Sequence, residues 1–141
     1  MSTAAKELPA CPVETTLTLI SDKWKVLILR DLMSGTKRFG ELKKSIGHVT
    51  QKALTAQLRD MEAKGLLTRK VYAEVPPRVE YTLTATGYSL RPILDSMVAW
   101  GTDYQKQNGG APCHKTACTA EIAAKIPCTQ VLGTYTVTFD R

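Results

Sequence analysis

The chain has 141 residues, which fits one compact domain or one domain plus arms, and 43% of them are apolar, enough for a core. Its 19 lysines and arginines exceed its 13 acidic residues, and the net charge of +6 favours either an acidic partner such as nucleic acid or simple solubility. A run of roughly 18 apolar residues is missing, and the first residues lack an apolar signal core. We therefore expect a cytoplasmic protein without membrane contact.

Three zones follow one another along the chain. Residues 1–11 form a short arm, residues 12–107 carry dense periodic apolar patterns, and residues 108–141 form a tail that contains three of the four cysteines. An Asn-Gly-Gly-Ala-Pro break opens the tail. We expect the middle zone to hold the folded domain.

Four helices are predicted in the first part of the middle zone. The first begins at Pro12, with Cys11 at the N-cap position, and the fourth begins after a cap at Thr50 and ends at Gly65. Helical spacing gives the second, third and fourth helices one apolar face each. The residues that mark these faces are Trp24, Leu27, Ile28 and Leu32, then Phe39, Leu42 and Ile46, then Leu54, Leu58 and Met61.

The spacing of the apolar residues then changes from the helical repeat to every second residue. Residues 66–73 and 79–83 favour two strands, and the prolines between them belong at the hairpin tip because they cannot donate to a ladder. A last helix is predicted from about Thr86 to Gln107, with Pro92 kinking it or delaying its start. The fold class is therefore mainly α with a β-hairpin wing, a winged helix-turn-helix.

The helix near residues 50–64 is predicted to enter the major groove of DNA, as the second helix of a helix-turn-helix does. Lysine and arginine bond guanine edges or phosphates, glutamine suits adenine, and an arginine beyond the prolines reaches a minor groove. The alternative is a solvated face with ordinary charges, in which Arg78 pairs with a nearby carboxylate. The predicted DNA contacts are Lys37, Arg38, Lys43, Thr50, Gln51, Lys52, Thr55, Arg59 and Arg78.

Eight short segments in the arm and the middle zone form a recognisable set. In chain order they are CPVE, KW, LILR, RFGEL, TQKALT, EAKGL, VPPRVEY and LTATG. With these segments the chain resembles the HxlR family of bacterial transcriptional regulators, relatives of the MarR group, from residue 11 to about residue 105. The resemblance implies a winged helix-turn-helix homodimer that regulates genes, and it does not extend to the tail.

The last helix is expected to form a homodimer interface together with the first, because its wide apolar stripe has few other elements to cover it. The alternative is that the stripe packs only on its own domain. Two-fold symmetry predicts an operator with inverted half-sites about one DNA turn apart. The predicted interface residues are Leu94, Met97, Trp100 and Tyr104.

Cys11 is the predicted redox-sensing residue. A thiol at a helix N-terminus faces unpaired amides and the positive end of the helix dipole, which favour a thiolate that reacts with oxidants, quinones and other electrophiles. Several members of the resembled family sense such compounds with a cysteine in this place. The alternative is a small buried residue kept for packing.

The tail cysteines have three alternative interpretations. Cys113 is a candidate disulfide partner of Cys11 in the other subunit. Cys113, Cys118 and Cys128, with His114, are weak zinc candidates because the spacing lacks a second close pair. A tail with incidental thiols is the third interpretation, and we predict neither a metal nor a cofactor.

These patterns predict a DNA-binding transcriptional repressor that responds to redox or electrophile stress through Cys11. The alternative is a winged-helix regulator controlled by a small-molecule or metal ligand. We do not expect an enzyme, because the sequence contains no C-x-x-C motif, glycine-rich phosphate loop or carboxylate dyad.

Overall fold

The computed structural model describes residues 7–110. These residues belong to two compact units, one ending at Tyr88 and the other beginning at Ser89. The predicted zone 12–107 therefore spans both units. The predictions for Cys113, His114, Cys118 and Cys128 lie outside the described residues.

The first unit contains a helix-turn-helix followed by a small antiparallel sheet, which confirms the winged helix-turn-helix fold. The strand order is β1-β3-β2, with Lys37 opposite Tyr81 and Leu67 opposite Leu83. The elements are α1 (Pro12–Ile20), α2 (Lys23–Leu32), β1 (Lys37–Arg38), α3 (Phe39–Ile46), α4 (Gln51–Ala63), β2 (Leu67–Tyr72), β3 (Arg78–Leu83) and α5 (Ala85–Tyr88). Strand β1 was not predicted, because two residues are too short to show a period.

Helix α4 begins and ends where the sequence predicts. The Thr50 hydroxyl accepts a hydrogen bond from the Ala53 amide at 3.1 Å, which caps the N-terminus. At the other end Gly65 has a φ of +74°, and the amide of Leu66 donates to the Met61 carbonyl at 2.9 Å. This Schellman arrangement turns the chain directly from α4 into β2.

The core of the first unit lies around α2, which contacts α1, α3, α4 and β3. The apolar faces predicted for α2, α3 and α4 supply most of its fully buried side chains. From these faces come Ile28, Leu32, Leu42, Leu54, Leu58 and Met61. Leu29 of α2 was not in the predicted face and is also fully buried, while Trp24 and Leu27 of that face are only half-buried. Leu66, just before β2, and Leu67, its first residue, are fully buried as well.

The end of β3 is joined closely to the end of α4. The Thr84 amide donates to the Leu66 carbonyl at 3.0 Å, and the Thr84 hydroxyl donates to the Gly65 carbonyl at 2.6 Å. A Cβ atom at position 87 would overlap the Leu66 carbonyl oxygen, so this approach requires Gly87. The wing is thereby held at a defined position relative to α4.

The prediction of one helix from about Thr86 to Gln107 is wrong, because α5 ends at Tyr88 and a separate helix α6 spans Arg91–Gln107. Pro92 lies in the first turn of α6, where its missing amide breaks no helical hydrogen bond. The delayed start is the effect expected of this proline. Within the described part of the chain, no helix is long and apolar enough to cross a bilayer.

Candidate nucleic-acid interface

Helix α4 presents a polar and cationic face on the side opposite its buried residues. Gln51, Lys52, Ala56 and Arg59 are exposed on that face, and Thr55 is half-buried. Together these five residues line a concave region of about 600 Å³. Ala56 was not among the predicted contacts, although it lies on the same helical face.

The hydroxyls of the two predicted threonine contacts are engaged by α4 itself. Thr50 caps the helix, as described above. The Thr55 hydroxyl donates to the Gln51 carbonyl at 2.8 Å. Both hydroxyls are therefore hydrogen-bonded within the helix, and the Thr55 side chain keeps its methyl group for other contacts.

Five predicted cationic contacts have side chains that form no salt bridge with any residue between positions 7 and 110. Two of them, Lys52 and Arg59, lie on the concave face of α4, while the rest lie on β1 and α3. Such charges are available to phosphates without first breaking an ion pair. The five are Lys37, Arg38, Lys43, Lys52 and Arg59.

Arg78 differs from these cations because it is already paired. Its guanidinium lies 3.3 Å from the Glu74 carboxylate, 3.4 Å from the Glu80 carboxylate and 4.0 Å from the centre of the Tyr72 ring. The alternative interpretation, a turn residue paired with a carboxylate, describes these contacts. Arg78 is the first residue of β3 and lies next to the wing tip.

The sequence did not predict an ion-pair cluster near the C-terminal end of α4. The Asp60 carboxylate of α4 lies 2.6 Å from the ammonium of Lys25 on α2 and 2.9 Å from that of Lys64. The Lys64 ammonium also donates to the Thr18 carbonyl of α1 at 2.8 Å. The two lysines hold the pKa of the Asp60 carboxyl below its usual value of 3.8. This cluster fixes α4 to α1 and α2.

A signal for this cluster was present in the sequence. Lys25 is only 7% exposed and occupies the same helical stripe as Ile28, Leu29 and Leu32. A lysine at a stripe position needs a buried or half-buried acidic partner. The periodic pattern does not show that the partner is Asp60.

Cys11 lies at the N-cap position of α1 and is exposed, so it is not a buried packing residue. Its carbonyl accepts a hydrogen bond from the Thr15 amide at 3.0 Å, while its thiol forms no capping hydrogen bond. The thiol is therefore open to a reagent in solution. Within residues 7–110, no three His, Cys, Asp or Glu side chains gather closely enough to hold a metal.

Comparison with known proteins identifies the family to which the chain belongs. Residues 19–109, more than half of the chain, match the family described as HxlR-like helix-turn-helix. The HTH-type transcriptional regulator YdeP of Bacillus subtilis is 45% identical over 102 residues, which cover 72% of this chain and 80% of YdeP.

Two similar solved structures are those of redox or transcriptional regulators. The redox regulator HypR in its oxidised form is 46% identical with a TM-score of 0.63, covering 66% of this chain and 96% of HypR. The quinone-bound YodB of Bacillus subtilis is 33% identical with a TM-score of 0.56, covering 66% of this chain and 99% of YodB. The protein thus belongs to the HxlR family of helix-turn-helix transcriptional regulators.

Proposed function

We propose that this regulator is a homodimeric repressor that binds an operator with inverted half-sites and whose DNA affinity changes when Cys11 is oxidised or alkylated. The observation that carries the DNA-binding part is the concave face of α4. Its cations Lys52 and Arg59 have no salt-bridge partner in the described chain, and its N-terminal end attracts phosphate. The wing supplies a second contact region through Arg78.

The cations around α4 support an approach along the DNA backbone as well as into the groove. Lys43 is exposed in the last turn of α3, and Lys37 and Arg38 form the short strand β1 that pairs with the wing strand β3. These side chains therefore lie on the helix that precedes the recognition helix in the chain and on one strand of the wing sheet. We assign them to phosphate contacts, which set register and orientation, and assign α4 to base contacts.

The homodimer proposal is supported by the exposed apolar face of α6. Met97, Trp100 and Tyr104 are 45%, 61% and 54% exposed, and the two aromatic rings stack with their centres 5.1 Å apart. Large exposed apolar patches mark interaction surfaces in small proteins. Leu94 is only 8% exposed, so the interface consists mainly of the other three predicted residues.

Helix α1 offers a second exposed apolar surface, as its predicted part in the dimer requires. Val13 and Leu17, one turn apart, are 66% and 50% exposed. A symmetric dimer that covers α1 and α6 in both protomers would remove these side chains from water. Its two-fold axis would present two copies of α4 to inverted half-sites.

Replacing Trp100 with alanine is expected to weaken dimerisation by about tenfold or more, because a stacked exposed tryptophan is the typical energetic centre of an interface. Alanine retains the helical propensity of α6. Sedimentation equilibrium of the full chain measures the change. Val75→Ala, which shortens an exposed apolar side chain on the wing, is the control. A wild-type chain that stays monomeric, or equal dissociation constants for both variants, would contradict the dimer.

The redox proposal is supported by the position of Cys11 and by its connection to α4. The thiol is exposed at the N-cap position of α1. Further along the same helix, the Thr18 carbonyl binds Lys64 at the end of α4. A modification that displaces α1 therefore acts directly on the helix proposed to read DNA. The similar structures of oxidised HypR and quinone-bound YodB support a thiol-reactive signal.

A Cys11→Ser variant is expected to bind operator DNA like the reduced wild type and to lose the response to oxidants. The measurement is fluorescence anisotropy of the full chain on duplexes from its own promoter region, with hypochlorite, diamide or a quinone added. Cys118→Ser is the matched control, because it removes one thiol that is not a candidate partner of Cys11. An unchanged oxidant response in Cys11→Ser would contradict the sensor role, and an affinity change caused by a stoichiometric ligand would favour the alternative regulator.

A further inference from the structure

Two methyl groups lie at the centre of the concave face of α4. Thr55 and Ala56 both line this region, with Gln51 and Lys52 on one side of them and Arg59 on the other. The face is therefore not uniformly polar. Its middle is an apolar patch, and side chains with hydrogen-bond donors and positive charges lie around it.

The Thr55 hydroxyl is turned towards the helix backbone. Its single proton is donated to the Gln51 carbonyl at 2.8 Å, so it has no proton left to donate to a base. The methyl group is the part of the Thr55 side chain that makes no hydrogen bond, and Thr55 is among the residues that line the concave face. Ala56 next to it is exposed and offers only a methyl.

Thymine is the base that this surface fits. In the major groove thymine alone presents a methyl group, whereas guanine, adenine and cytosine present hydrogen-bonding groups at their edges. The neighbouring Lys52 and Arg59, which have no salt-bridge partner among residues 7–110, suit phosphates or guanine, and Gln51 suits adenine. The apolar middle of the face therefore offers one position that fits a thymine methyl group, and the side chains around it contact polar groups of the DNA.

We propose that Thr55 and Ala56 are specificity-determining residues that select a thymine in each operator half-site through its 5-methyl group. The proposal depends on the proposed function, since it takes α4 as the helix that enters the major groove. It adds the kind of base that the centre of this helix recognises and assigns the Thr55 hydroxyl to the helix rather than to DNA.

Replacing thymine by uracil tests the proposal, because this change deletes only the methyl group. The full chain is first used to select high-affinity duplexes from a random library, and each thymine of the selected site is then replaced in turn. We expect uracil at one symmetric position to weaken binding by about fourfold per half-site, the effect of losing one buried methyl contact. Uracil at the other positions is expected to leave the affinity unchanged.

Two nearly isosteric variants assign the effect to Thr55. Thr55→Val keeps the methyl and removes the hydroxyl, and it is expected to retain the preference for thymine over uracil. Thr55→Ser keeps the hydroxyl and removes the methyl, and it is expected to lose most of that preference. Circular dichroism confirms that both variants retain the helical content of the wild type.

The possible failures are distinguishable. If the selected duplexes bind tightly but no thymine is sensitive to uracil, the inference is overturned while the proposed function stands. If Thr55→Ser keeps the preference and Thr55→Val loses it, the hydroxyl reads the base and the inference is again overturned. If the library yields no enriched sequence, the proposed function itself fails and the inference fails with it.

Discussion

Replacing both Lys52 and Arg59 with alanine is expected to weaken operator binding by at least about 100-fold, because each direct contact to a base edge contributes about 1–3 kcal/mol. The two side chains lie on the concave face of α4 and form no salt bridge with any other described residue. The substitutions therefore remove contacts to the DNA without removing any ion pair within the described part of the protein. A dimer loses both contacts in each half-site.

Salt dependence separates base contacts from phosphate contacts in this experiment. A lost phosphate contact lowers the slope of log affinity against log salt concentration by about one, whereas a lost base contact leaves the slope nearly unchanged. Lys106→Ala is the control, because it removes one exposed charge from α6, where Lys106 lies 3.8 Å from Asp103. If the double variant and this control bound the operator with equal affinity, the assignment of α4 as the recognition helix would be contradicted.

Arg78 provides an internal comparison for the two α4 cations. Arg78→Ala should cost less than Arg59→Ala, because Arg78 must first give up Glu74 and Glu80 before it contacts DNA. The same titrations measure this difference. A larger loss at Arg78 would instead indicate that the wing dominates binding.

Asp60→Asn is expected to lower the free energy of unfolding by about 2–3 kcal/mol, because it leaves the Lys25 ammonium without its anionic partner. The Lys25 side chain is only 9% exposed, whereas that of Asp60 is 41% exposed. Water at the carboxylate weakens the pair, which places the expected loss below that of a fully buried ion pair. Chemical denaturation monitored by circular dichroism measures it.

Two variants serve as controls for Asp60→Asn. Asp103→Asn removes a carboxylate whose pair with Lys106 is 3.8 Å long and exposed, so we expect a change within about 0.5 kcal/mol. Lys25→Met replaces the buried ammonium with an apolar side chain of similar length, and we expect it to tolerate Asp60→Asn without a further large loss. Equal destabilisation by the asparagine substitutions at positions 60 and 103 would contradict the role of the cluster.

The effect of Asp60→Asn should depend on pH with a defined sign. The folded-state pKa of Asp60 lies below the usual 3.8, because Lys25 and Lys64 hydrogen-bond its carboxylate. The charged form therefore stabilises the folded state fully above pH 3.8, and this contribution is lost as the pH falls through the lowered folded-state value. The stability difference between wild type and variant should shrink on acidification.

The sequence by itself determined the elements whose signals are local. Helical spacing placed the apolar faces of α3 and α4 and, through Ile28 and Leu32, part of the face of α2, although it missed the buried Leu29. The Thr50 cap and the Gly65 stop placed both ends of α4. Alternation and the paired prolines placed the wing. The predicted polar face of α4 also followed, because residues three and four apart on a helix share one side.

Only the tertiary structure decided the contacts between residues that are distant in the chain. It paired Lys25 with Asp60, added β1 to the free edge of β3, and bound Arg78 to two carboxylates on the wing. Periodicity shows which side of an element is buried, but not which charged side chain of another element contacts that side. These contacts depend on how the elements pack against one another, so the sequence pattern alone cannot show them.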